Sequence, residues 1–151
     1  MNLLLAEWIG TFFKVGKLPF FPGTWGSLAA ALIWFFIFPL FPFYIHLLII
    51  AVVFFLGVTA ANLLVQGKTD QDPSEIVIDE IAGQWIAYLG LSFTLSNAAA
   101  GFIIFRLIDI LKPPLVREHE KWPGGWGIMA DDAAAGLLTF AILYSYKLLT
   151  S

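Results

Sequence analysis

Residues Leu18–Gly67 read LPFFPGTWGSLAAALIWFFIFPLFPFYIHLLIIAVVFFLGVTAANLLVQG, without one Lys, Arg, Asp or Glu. A bilayer core about 30 Å thick is crossed by about 20 helical residues, so this run predicts two spans. Pro39 and Pro42 divide them, one running from about Ser27 to Phe38 and the next from about Phe43 to Val65. Working outward, the 151-residue chain is 60% hydrophobic and 13% charged, where a soluble domain carries about a quarter charged residues. The composition therefore predicts an integral membrane protein, a single embedded domain over 1–151. A net charge of −3 gives no reason for a nucleic-acid partner. The absence of cysteine excludes disulfides, thiolate nucleophiles and Cys-based metal sites. The apolar start carries Glu7 instead of a basic leader, so no cleaved signal is expected.

From Met1 to about Val15, Glu7 and Lys14 mix with Leu, Trp and Phe, as in an amphipathic helix lying at the membrane interface. After the polar loop Gln66–Asp72, the run Asp72-Pro73-Ser74-Glu75 has the form of a helix start. It offers an acidic N-cap, Pro at the first helical position and Glu three residues after the cap. That helix is expected to reach about Leu91. Another covers about Ser96 to Leu111 and stops at Pro113-Pro114. A polar loop follows from Leu115 to Gly127, and a last helix runs from about Asp131 to Leu149. The predicted fold class is all-α: a polytopic membrane helical bundle of about five spans plus an N-terminal interfacial helix. Lys14, Lys17, Lys68, Lys112, Arg117 and Lys121 then share one side, which the positive-inside rule makes cytoplasmic.

Acidic residues gather at that same face. Carboxylates near hydrocarbon are costly and mark ion or substrate sites. Asp79 and Glu80 are adjacent on one helix, with Gly83 one turn on to admit a close neighbour. Asp109 lies in a final helical turn, where the helix dipole disfavours negative charge. Either a cation or pairing with Arg106, three residues earlier, explains it. Of Asp131 and Asp132 only one can be an N-cap. Asp72 reads equally as cap or ligand, and Glu75 chiefly as part of the capping box. Gly23-Thr24-Trp25-Gly26-Ser27 opens a span with free backbone N–H groups suited to an anion, or simply with a hydroxyl cap. His46 and His119 lack the company a zinc or phosphohistidine site needs, and Trp25, Trp122 and Trp126 read as interface anchors. Oxygen ligands alone suit a hard cation, Mg2+ foremost. Arg106 and Lys112 beside them suit a phosphate. A metal-dependent membrane phosphohydrolase or phosphotransferase follows, with a small cation-coupled transporter as the alternative.

Four motifs in order, Pro22-Gly-Thr-Trp-Gly-Ser27, Ile76-Val-Ile-Asp-Glu80 with Gly83, Phe105-Arg-Leu-Ile-Asp109 with Lys112-Pro113, and Gly124-Gly-Trp-Gly-Ile-Met-Ala-Asp-Asp132 with Ala135-Gly136, resemble the phosphatidylglycerophosphatase A family over nearly the whole chain. The resemblance implies a Mg2+-dependent enzyme of the bacterial inner membrane, its active face cytoplasmic. The reaction implied is hydrolysis of phosphatidylglycerophosphate to phosphatidylglycerol and inorganic phosphate. It implies Asp79, Glu80, Asp109, Asp131 and Asp132 as the metal and catalytic set, with Arg106, Lys112, Thr24, Gly26 and Ser27 as phosphate or headgroup contacts.

Overall fold

The computed structural model describes residues 1–70 and 72–150; Gln71, in the polar loop expected at 66–72, and Ser151 lie outside the described residues. The described residues form seven α-helices and no strand: α1 (Leu3–Gly10), α2 (Pro22–Phe36), α3 (Phe43–Val65), α4 (Ile78–Ala87), α5 (Leu95–Leu111), α6 (Pro114–Arg117) and α7 (Gly125–Thr150). A 3-10 turn, Phe38–Leu40, extends α2. With that extension, α2 joins α3 and α7 as helices long and apolar enough to cross a membrane.

Local chemistry explains most boundaries. Pro22 starts α2 at the position where a missing N–H costs nothing, and Pro42 precedes α3. The Thr94 hydroxyl accepts the Asn97 N–H at the head of α5, and left-handed Lys112 ends that helix before Pro113.

Three expected starts move. The helix foreseen at Asp72 begins instead at Ile78. The Ile76 N–H closes a turn on the Pro73 carbonyl (2.9 Å), and the Val77 N–H donates to the Gly10 carbonyl of α1 (2.9 Å). Residues 73–77 are thus tied to the N-terminal segment, and no capping box forms. α2 starts at Pro22 rather than Ser27, and α7 at Gly125 rather than Asp131. Neither Asp131 nor Asp132 caps a helix; both lie well inside α7. The polar loop expected over 115–127 also holds α6 and a 3-10 turn, Glu118–Lys121.

The short α4 is the buried centre, with Ile81, Ala82, Gly83, Gln84 and Trp85 all inside. Gly83 and Gly136 set its crossing with α7. A Cβ on Gly136 would collide with the Gly83 carbonyl, and one on Gly83 with the Asp132 backbone. On the other side the Trp85 indole N–H donates to the Ala30 carbonyl of α2 (2.9 Å), and Tyr88 stacks on Trp34 with centroids 4.2 Å apart. The Tyr88 hydroxyl donates to the Ala98 carbonyl of α5 (2.7 Å). His46 is structural, its Nε2 bonded to the Phe38 and Phe41 carbonyls. The outer faces stay apolar and exposed, as at Leu32, Phe36, Leu48 and Phe55.

Candidate active site

The close α4–α7 crossing brings the first turn of α4 against the second turn of α7. One carboxylate oxygen from each of Asp79, Glu80 and Asp132 falls within 4.8 Å of the others. Asp79 Oδ1, Glu80 Oε2 and Asp132 Oδ2 are buried with no hydrogen-bond partner. Buried polar atoms normally find one, and carboxylates this close repel when ionised. A hard cation with oxygen ligands satisfies all three, so the donor set fits Mg2+. Asp79 and Glu80 also stand in the first turn of α4, where the helix dipole favours negative charge.

The other two acids are committed elsewhere. Arg106 Nη1 lies 2.5 Å from Asp109 Oδ2 and 3.7 Å from Glu80 Oε1. Asp109 is therefore tolerated at the α5 C-terminus by the pairing that the i, i+3 spacing allows. Lys112 Nζ reaches Asp131 Oδ2 at 2.9 Å and also pairs with Glu120. Burial works against charge on that amine, but the hydrogen bonds it donates to Asp131 and Glu120 outweigh it and hold its pKa above the ordinary value.

These groups line one cavity of about 490 Å³ with Phe21, Pro22, Gly23, Thr24, Ser74 and Ile110. Asp72, which read equally as cap or ligand, is a wall of it, and burial pushes its carboxyl above the usual range. Thr24 lines the cavity as expected, but Gly26 and Ser27 do not. Because α2 starts at Pro22, Gly26 faces inward, where a Cβ would meet Val77 of the segment leading into α4. Ser27 is fully buried, its hydroxyl without a partner. Gly23, quoted in the anion-suited segment but not among the expected contacts, also lines the cavity: a Cβ there would strike the Glu80 carboxylate and crowd Arg106. The available signal was its place directly after the Pro that opens the helix.

The family model described as phosphatidylglycerophosphatase A matches residues 8–147. The chain belongs to the phosphatidylglycerophosphatase A family. It is 36% identical to phosphatidylglycerophosphatase A of Escherichia coli K12, covering 87% of this chain and 77% of that one. With the Haemophilus influenzae protein of the same name it shares 33% identity, over 83% and 78% of the two chains. It is 39% identical to a Bacteroides thetaiotaomicron protein named provisionally as a phosphatidylinositol-3-phosphatase, over 89% of each. No solved structure matches the chain. Membership of the phosphatidylglycerophosphatase A family makes the protein a phosphatase, and the matched residues include every acid and cation of the cavity.

Proposed function

We propose that this phosphatase removes the terminal phosphate of phosphatidylglycerophosphate, giving phosphatidylglycerol and inorganic phosphate, at a Mg2+ centre on Asp79, Glu80 and Asp132. The observation that carries the reading is the group of three close carboxylates, each with a buried oxygen that has no hydrogen-bond partner, beside Arg106 and Lys112. When bound, Mg2+ supplies charge neutralisation at the phosphoryl oxygens. Arg106 and Lys112, in the same cavity, hold the phosphate, each already neutralised in part by Asp109 or Asp131. Those two acids orient the cations. Glu80, which faces both Asp79 and Arg106, accepts the proton of the attacking water as its oxygen bonds phosphorus, and returns it to the glycerol oxygen as the bond from phosphorus to that oxygen breaks. Gly23 keeps the cavity open for the phosphate.

Five passes of the chain also fit. α4 alone is about 15 Å long at 1.5 Å per residue, half a bilayer. Yet its head meets Asp132 near the start of α7, and just past its end the Gly90 carbonyl accepts from Lys147 near the far end of α7 (3.0 Å). Residues 80–90 thus reach along much of α7 between those two contacts, which supports a further pass completed by the segment to Thr94. Burial inside the bundle relieves this segment of the need to be a full apolar helix. The basic residues at the cavity end support a cytoplasmic active face in a bacterial inner membrane.

The relative named for a phosphatidylinositol phosphate makes the headgroup worth testing directly. Phosphate release by the detergent-solubilised protein should be faster from phosphatidylglycerophosphate than from phosphatidylinositol 3-phosphate and should stop on chelation of divalent metal. Release unaffected by chelation would refute the metal centre; preference for the inositol lipid would reassign the substrate.

A further inference from the structure

The cavity, about 490 Å³ and lined by Arg106, Lys112 and the acids, suits a phosphate-bearing headgroup, but a diacyl lipid must leave its chains outside. Two of its lining residues are both apolar and open to the exterior: Phe21 at the head of α2 is 78% exposed, and Ile110 at the end of α5 is 67% exposed. Arg106 lies one turn before Ile110 and abuts Gly23, two residues after Phe21. The two apolar residues therefore stand beside the phosphate-binding wall. Phe20 and Phe21 both adopt left-handed backbone (φ 57° and 53°), and Phe20 is 82% exposed. Bulky residues seldom hold that conformation, and here it leaves both rings uncovered. From Ile110 an apolar stripe continues away from the cavity through Leu107 and Ile103, each more than half exposed and spaced to share one helix face. Ile103 to Ile110 spans about 10 Å at 1.5 Å per residue, most of a leaflet's hydrocarbon of about 15 Å.

We infer that the cavity opens sideways between Phe21 and Ile110, and that an acyl chain of the lipid phosphate leaves through this gap and lies along the Ile110–Leu107–Ile103 face of α5. This deepens the proposed function and rests on its placing of the phosphate at Arg106 and Lys112. Phe21 and Ile110 thereby set preference for a membrane lipid over a soluble phosphate ester.

Phosphatidic acid carrying a diazirine in one acyl chain tests the track without turnover. Its photolabel should concentrate on the α5 face, and excess unlabelled phosphatidic acid should abolish it where phosphatidylcholine does not. In kinetics, Phe21→Ser with Ile110→Ser should lower the ratio of kcat/KM for long-chain over short-chain lipid phosphate about tenfold. Leu148→Ser, on an exposed site at the far end of α7, should leave the ratio at its wild-type value. Labelling that resists phosphatidic acid, or an unchanged ratio in the double variant, overturns the inference. Competed labelling of α5 in a protein that releases no phosphate would uphold the track and refute the hydrolase reading instead.

Discussion

Substituting Gly83→Ala perturbs the crossing on which the candidate metal centre depends. The added methyl would sit 2.5 Å from the Asp132 carbonyl oxygen and 2.8 Å from the Phe105 ring, where ordinary contact begins at 3.4 Å. Backbone cannot step aside as a flexible side chain can, so α4 and α7 must separate by about 0.9 Å at that level. Ala raises intrinsic helix propensity by about 1 kcal/mol over Gly, while overpacking a filled core costs about 1–3 kcal/mol. The net loss of stability is therefore small, about 0–2 kcal/mol. Activity should respond far more. Asp79 and Glu80 ride on α4 and Asp132 on α7, so the separation opens the carboxylate cluster itself. A misplacement of about 1 Å can cost about a hundredfold in rate. The assay pairs phosphate release across a Mg2+ titration with thermal unfolding in the same detergent. The expected result is a fall in kcat of about two orders of magnitude, a higher Mg2+ requirement, and an unfolding temperature within a few degrees of wild type. Near-wild-type activity at low Mg2+ would refute the dependence of the site on this crossing.

Other outcomes follow from the charged residues. Lys112→Met strips buried Asp131 of its cation and should cost about 3 kcal/mol. For a domain of this size that is a fall of about 6–12 °C in unfolding temperature, and adding Asp131→Asn should recover part of it. Glu7 is held below its ordinary pKa of 4.5 by hydrogen bonds from Lys14 and Lys17. Its pairing therefore contributes fully above pH 4.5 and fades as pH falls toward the lower folded-state value. An NMR titration of the Glu7 carboxyl carbon should show a midpoint below 4.5 that rises when Lys14 and Lys17 become Met; an ordinary midpoint in the native chain would contradict the pairing.

What could be read in the sequence divides along physical lines. The apolar run over residues 18–67 announced α2 and α3 because hydropathy and proline breaks are local properties. That the acids would gather was expected from span order alone, and they line one cavity. The start at Asp72 misled because Asp-Pro-Ser-Glu is a sound cap by local rules, whereas a contact between residues 77 and 10 decides the matter. Likewise Gly124-Gly125-Trp126-Gly127 looked like loop because glycine disfavours helix. Gly125 and Gly127 are present because other backbone passes close: a Cβ on Gly125 would strike the Val58 carbonyl, and one on Gly127 the Trp122 carbonyl. Five acids were foreseen as one set. Only tertiary packing separates the three whose oxygens face one another from Asp109 and Asp131, which hold Arg106 and Lys112.

The central claim is a cation centre on Asp79, Glu80 and Asp132, and Mn2+ binding followed by electron paramagnetic resonance reaches it without turnover. Titrated into the solubilised protein, Mn2+ should bind saturably and be displaced by Mg2+. Binding should weaken at least about tenfold in Asp79→Asn and in Asp132→Asn, as expected when a ligand is lost. Wild-type affinity in both variants would contradict the assignment.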